Sequence, residues 1–122
     1  MKVRISKTFD FDAAHRLPNV PAGHKCGHLH GHTYRVDVML EGEPTAADGW
    51  FIDYADIAAA WERVHREVDH RYLNDIPGLE NPTTEVLAPW IMKMLDMDAR
   101  VAPFLVAVRV HESSSTWCEV QR

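Results

Sequence analysis

Five residues able to bind metal or move protons occupy alternate positions of one short run, HKCGHLHGHTY: His24, Cys26, His28, His30 and His32. Imidazoles one residue apart share a side of an extended chain, so His30 and His32 could face a single ion. His15 ends an earlier alternating segment on its inward parity, and strand pairing could bring it beside them. Three neutral imidazoles around one ion recur in catalytic zinc sites, where the fourth position is left to water or substrate. The bland alternative is that these are three of the chain's eight histidines lying on loops. Cys26 admits two roles, either joining the three histidines to close a structural site or standing off the metal as a thiolate.

Two further features could complete an acid-base set. Asp69-His70 falls at the end of a helical pattern, where a carboxylate orients the imidazole and the helix C-terminus favours its cation. A cysteine paired with such a histidine is an activated thiolate. Taken alone, acid-His neighbours at helix ends are commonly exposed caps. Glu112 follows the apolar run FLVAVRV and precedes SSST; a carboxylate there suits bidentate recognition of a guanidine-like edge, although an ordinary solvated turn glutamate has the same signature.

The elements that must position these groups follow from periodicity. Residues 2–13 alternate with Val3, Ile5, Phe9, Phe11 and Ala13 on one parity, the pattern of a half-buried strand. Residues 16–31 carry Pro18, Pro21, Gly23, Gly27 and Gly31 and read as a long excursion, a length that usually serves function. Alternation resumes from Thr33 through Tyr34, Val36, Val38 and Leu40. The period then becomes helical, with Ile57, Trp61, Val64 and Val68 on one face and Asp53 as N-cap. A second helix is expected over TEVLAPWIMKMLDM, capped by Thr83 or Thr84 and kinked or locally opened at Pro89. PFLVAVRVHE and TWCEVQR read as closing strands. The expected architecture is α+β, in ββααββ order, with a four-stranded antiparallel sheet carrying two helices on one face.

Composition bounds the rest. A chain of 122 residues with 46% hydrophobic and 25% charged residues fits one domain, 1–122, able to bury a core. A formal net charge of −5 with scattered basic residues argues against a nucleic-acid binder. No segment has the apolar length of a membrane span and the N-terminus lacks a signal-peptide centre, so a cytoplasmic location is expected, with Cys26 and Cys118 as free thiols.

The segments FDFDAAHRL, GHKCGHLHGHTY, GWFIDYADI, DHRYLNDIPGLENPTTE and VRVHES, in that order, resemble the 6-pyruvoyl-tetrahydropterin synthase family. The cysteine separated by three residues from HGH, as in CGHLHGH, is similar to the branch that makes 6-carboxytetrahydropterin for queuosine. The resemblance implies a tunnelling fold and a zinc ion held by His15, His30 and His32. It implies Cys26, Asp69 and His70 as the proton-transfer set, with Glu112, assisted by Thr84 and Glu85, holding the pterin. A homohexamer of two trimers with sites shared between subunits is implied, as is conversion of 7,8-dihydroneopterin triphosphate to 6-carboxytetrahydropterin, acetaldehyde and triphosphate. Lys25, Arg16 and Arg71 are candidates for the triphosphate by sequence proximity, and His24 and His28 are expected to be peripheral. The competing expectations are a pyruvoyl-forming enzyme on the same substrate and a non-catalytic zinc-binding or sensing protein.

Overall fold

A computed structural model describes residues 1–122. Its elements are β1 (Val3–His15), β2 (His30–Gly42), α1 (Tyr54–Val68), β3 (Arg71–Tyr72), α2 (Thr84–Leu95), β4 (Leu105–His111) and β5 (Trp117–Gln121). The strands form one five-stranded sheet in the order β3-β1-β2-β4-β5, antiparallel except where β3 runs parallel to β1. This corrects the expected four-stranded antiparallel sheet, and ββααββ becomes ββαβαββ. The missed strand has two residues, too few to display any period.

Odd positions of β1 and even positions of β2 point toward the helices. There Phe11 stacks on Tyr34 with ring centroids 4.9 Å apart, and Phe9 stacks on Trp61 of α1, also at 4.9 Å. Ile57, Trp61, Val64 and Val68 are all buried, as the helical spacing requires. The other sheet face is polar: Thr8 donates to Asp37 at 2.7 Å, His111 Nε2 lies 2.8 Å from the second Asp37 oxygen, and Arg109 donates to Glu119 at 2.9 Å. Alternation therefore sorts one strand set into an aromatic core face and an ion-paired face.

The helix starts follow the caps. Asp53 Oδ1 accepts from the Ala55 N–H at 2.9 Å, and Thr83 Oγ1 accepts from that of Val86 at 3.3 Å. Pro89 does not interrupt α2, which is continuous from Thr84 to Leu95. Pro89 is exposed, so the carbonyl whose partner it removes can turn to water. β2 begins at His30, ahead of the expected Thr33, because Gly31 fits against β1 where a Cβ would stand 3.2 Å from the Ala13 carbonyl oxygen. No helix is long and apolar enough to cross a membrane.

Candidate metal centre

The β1–β2 register assembles the histidines. His15 pairs with His30, and Ala13 with His32, so two inward positions of β2 and the last of β1 meet at one end of the sheet. Ala13 is small, which leaves room for the His32 ring. His15 is 1% exposed, and its ring centroid lies 4.6 Å from that of His30 and 5.0 Å from that of His32.

Main-chain carbonyls orient two of the rings. His15 Nδ1 lies 2.9 Å from the Pro82 oxygen, with the Tyr34 hydroxyl 3.2 Å away, and His30 Nδ1 lies 2.7 Å from the His28 oxygen. A carbonyl only accepts, so each Nδ1 carries a proton and, in the neutral ring, each Nε2 presents a lone pair. Those two Nε2 atoms are 3.0 Å apart. Facing lone pairs at that distance repel unless a cation lies between them, so the donor set fits a metal ion.

Glu112, just past β4, completes the group. Its Oε1 is 2.9 Å from His32 Nε2 and 3.5 Å from His15 Nε2. The four ligand atoms of His15, His30, His32 and Glu112 all lie within 4.8 Å of one another and could hold a metal ion. His32 Nε2 is buried without a hydrogen-bond partner despite its closeness to Glu112, so the two atoms are near but not aligned as donor and acceptor. Burial pushes the His15 and His32 imidazoles toward the neutral, metal-binding form, with Glu112 opposing the shift at both. Burial, reinforced by Glu112, holds the Tyr34 phenol protonated.

Cys26 stands beside this group and outside it. It lines a cleft of about 450 Å³ with Lys25, His30, His32, Glu112, Ser113 and Thr116. A short turn, Lys25–Gly27, presents it: the Cys26 N–H donates to His24 Nδ1 at 3.0 Å, and the Cys26 carbonyl accepts from the Leu17 N–H at 2.8 Å. His24 therefore caps the turn, and His28 serves through its backbone. Both thiols are free.

Asp69 and His70 are tied to the β1 edge. The Asp12 N–H donates to Asp69 Oδ1 at 3.0 Å, the His70 N–H donates back to the Asp12 carbonyl at 2.6 Å, and His70 Nδ1 lies 2.8 Å from Asp69 Oδ2. The Asp12 N–H, then His70, keeps the Asp69 carboxyl below the usual range, and Asp69 in turn raises His70. His70 has φ 55°, left-handed backbone that few non-glycine residues adopt. It lines a second cavity of about 590 Å³ with Asp12, Thr33, Arg71 and Tyr72, reaching His32 but not Cys26. Within one chain, then, Cys26 and His70 open onto different cavities.

Thr84 and Glu85 begin α2, with the Thr84 hydroxyl donating to Glu85 at 2.9 Å. They follow Pro82, the residue that orients His15. Glu85 also acts electrostatically on Cys118 of β5, whose thiol is raised first by burial and then by that carboxylate.

Residues 4–122 match the family model described as 6-pyruvoyl tetrahydropterin synthase. The chain belongs to the 6-pyruvoyl tetrahydropterin synthase family. Family relatives include the 6-carboxy-5,6,7,8-tetrahydropterin synthase of Synechocystis sp., 38% identical over 92% of this chain and 88% of that protein. The dihydroneopterin monophosphate aldolase of Pyrococcus furiosus is 38% identical over 78% of this chain and 76% of that one. Among solved structures, the 6-pyruvoyl tetrahydropterin synthase of Caenorhabditis elegans superposes with a TM-score of 0.92 at 25% identity, covering 100% of this chain and 96% of that one.

Three contributions to the site have no side-chain signature in the sequence: the carbonyls of Pro82 and His28, and the backbone of Asp12. The closeness of Glu112 to the histidines depends on β4 lying beside β2.

Proposed function

We propose that the chain is a zinc-dependent lyase converting 7,8-dihydroneopterin triphosphate and water to 6-carboxy-5,6,7,8-tetrahydropterin, acetaldehyde and triphosphate, in queuosine (7-deazapurine) biosynthesis. The observation that carries this reading is Cys26, which shares a cleft with His30, His32 and Glu112 while taking no place in the converging ligand group. A non-catalytic zinc module would use the thiol to close the metal shell. The Synechocystis relative's name supports the carboxy-forming reaction.

His15, His30 and His32 would hold zinc through Nε2, a donor set that suits this metal. When bound, the ion would act as a Lewis acid on the substrate's side-chain hydroxyls, making neighbouring protons easier to remove. Cys26 Sγ is the base that moves the proton at the side-chain carbon. Asp69 accepts from His70 Nδ1, leaving His70 Nε2 to give or take a proton as the complement of Cys26. Glu112 accepts from the N–H edge of the pterin, with Thr84 and Glu85 supporting the same subsite. Lys25, which lines the cleft, and Arg71, which lines the His70 cavity, would meet the triphosphate. Arg16 lines neither of these two cavities.

A shared site accounts for the separation of Cys26 from His70. In a homohexamer, the cavity of one subunit bearing Asp69-His70 would cover the Cys26 cleft of its neighbour. The free edges of β5 and most of β1, together with the polar sheet face, support such assembly. A cytoplasmic setting would keep Cys26 reduced.

The Pyrococcus relative's name favours a second reading, aldol cleavage of a dihydroneopterin phosphate. The deciding experiment supplies zinc-loaded protein with 7,8-dihydroneopterin triphosphate and assays acetaldehyde, triphosphate and the pterin together. Acetaldehyde with 6-carboxytetrahydropterin supports the lyase. A pyruvoyl product without acetaldehyde, or cleavage that leaves the phosphate ester intact, would replace it with one of the two alternatives.

A further inference from the structure

Glu112 faces two demands that one carboxylate cannot meet together. Its Oε1 stands 2.9 Å from His32 Nε2 and 3.5 Å from His15 Nε2, while the two histidine nitrogens His15 Nε2 and His30 Nε2 are 3.0 Å apart. Ligand atoms around a tetrahedral ion with bonds of about 2.0 Å are separated by about 3.3 Å, a value that the Glu112 separations from His32 and His15 bracket, so Glu112 stands where it could serve as a fourth ligand. The lack of hydrogen-bond alignment between Glu112 and His32 Nε2 fits atoms aimed at a common centre rather than at each other. Recognition of a flat guanidine-like edge, by contrast, engages both carboxylate oxygens side by side.

We propose that Glu112 takes these partners in turn. With no pterin bound, its carboxylate closes the His15–His30–His32 cluster as the fourth metal ligand; a bound ring draws it away to the ring's N–H edge and so opens the position that the substrate side chain needs. The inference rests on the pterin reading above and adds an order of events to it. The local structure permits the movement. Glu112 lies beyond the last hydrogen-bonded residue of β4, in a bend, and its side chain borders an open cleft rather than the packed core. The consequence is selectivity: small hydroxylated molecules without the ring meet a filled coordination shell. Binding of the ring can shift the carboxylate only by the difference in its affinity for the two arrangements.

The test uses the full-length protein loaded with cobalt(II), whose absorption reports coordination number and ligand type. Wild type, Glu112→Gln and Glu112→Ala are compared by circular dichroism for folding and by chelator competition for metal affinity. Both variants are expected to release cobalt about tenfold or more readily. The ring arm adds 6-methylpterin, which lacks side-chain hydroxyls, with its binding followed by fluorescence. In the wild type the cobalt spectrum is expected to change as the pterin binds, and in folded Glu112→Ala to stay constant. Unchanged metal affinity in both variants, or a wild-type spectrum indifferent to bound 6-methylpterin, overturns the proposal. Failure of the lyase reading is distinguishable, because it appears as missing products in the turnover assay rather than in cobalt coordination.

Discussion

His15 Nε2 and His30 Nε2 stand 3.0 Å apart while the other nitrogen of each ring faces a main-chain carbonyl. The backbone fixes the tautomers and leaves the site short of positive charge. His30→Ala is therefore expected to lose stoichiometric metal, whereas His24→Ala and His28→Ala keep it. Metal analysis after gel filtration separates the two groups. Chelation of the wild type should lower the melting temperature, since an ion held at a hundred times its Kd contributes about 2.7 kcal/mol.

Cys26→Ala should keep its zinc and its pterin affinity while kcat falls by about 10²-fold or more, the usual worth of a positioned base. Single-turnover kinetics on the zinc-loaded variant gives the number. A near-normal rate would remove Cys26 from the mechanism.

The Asp69–His70 pair sets a pH dependence. His70 is raised above its ordinary value by Asp69, so its favourable contribution is full below the unfolded pKa and fades as pH rises through the folded one. Asp69 is lowered, so its contribution is present above its unfolded pKa and is lost as pH falls through the folded value. Asp69→Asn should return His70 toward 6.5, the ordinary histidine value, and shift the matching limb of the kcat/KM profile to lower pH. NMR titration of His70 checks the first effect and the pH–rate profile the second.

Gly31 separates the two β2 histidines, and a Cβ there would lie 3.2 Å from the Ala13 carbonyl oxygen. Gly31→Ala should push β2 from β1 where His15 meets His30, costing about 1–3 kcal/mol and weakening metal binding. Denaturant melts and chelator competition measure the two effects. A variant losing neither would mean the strands relax without moving the rings.

Much of this site is legible in the sequence because the strands repeat every two residues: the spacing of His30 and His32 and the parity of His15 place three rings on one face. Register cannot be read in the same way. Ala13 opposite His32 depends on pairing across the loop of residues 16–31, and β3, with two residues, has no period at all. Glu112 resembles a turn residue because three serines follow it in sequence, while its neighbours in space include His15 of β1 and His32 of β2. Pro82 and His28 act through carbonyls that every residue owns. Pro89 lies inside a helix that continues past it to Leu95, and its exposure leaves the freed carbonyl open to water.

The left-handed backbone at His70 sets stability against use. Glycine would relieve about 1–2 kcal/mol of steric cost at φ 55°, while a β-branched residue would add to it. His70→Gly would thus set backbone relief against loss of the contact with Asp69, and would also delete an acid-base group. A selection for heat tolerance alone would weigh only those two terms, whereas one that also demands turnover would keep the histidine.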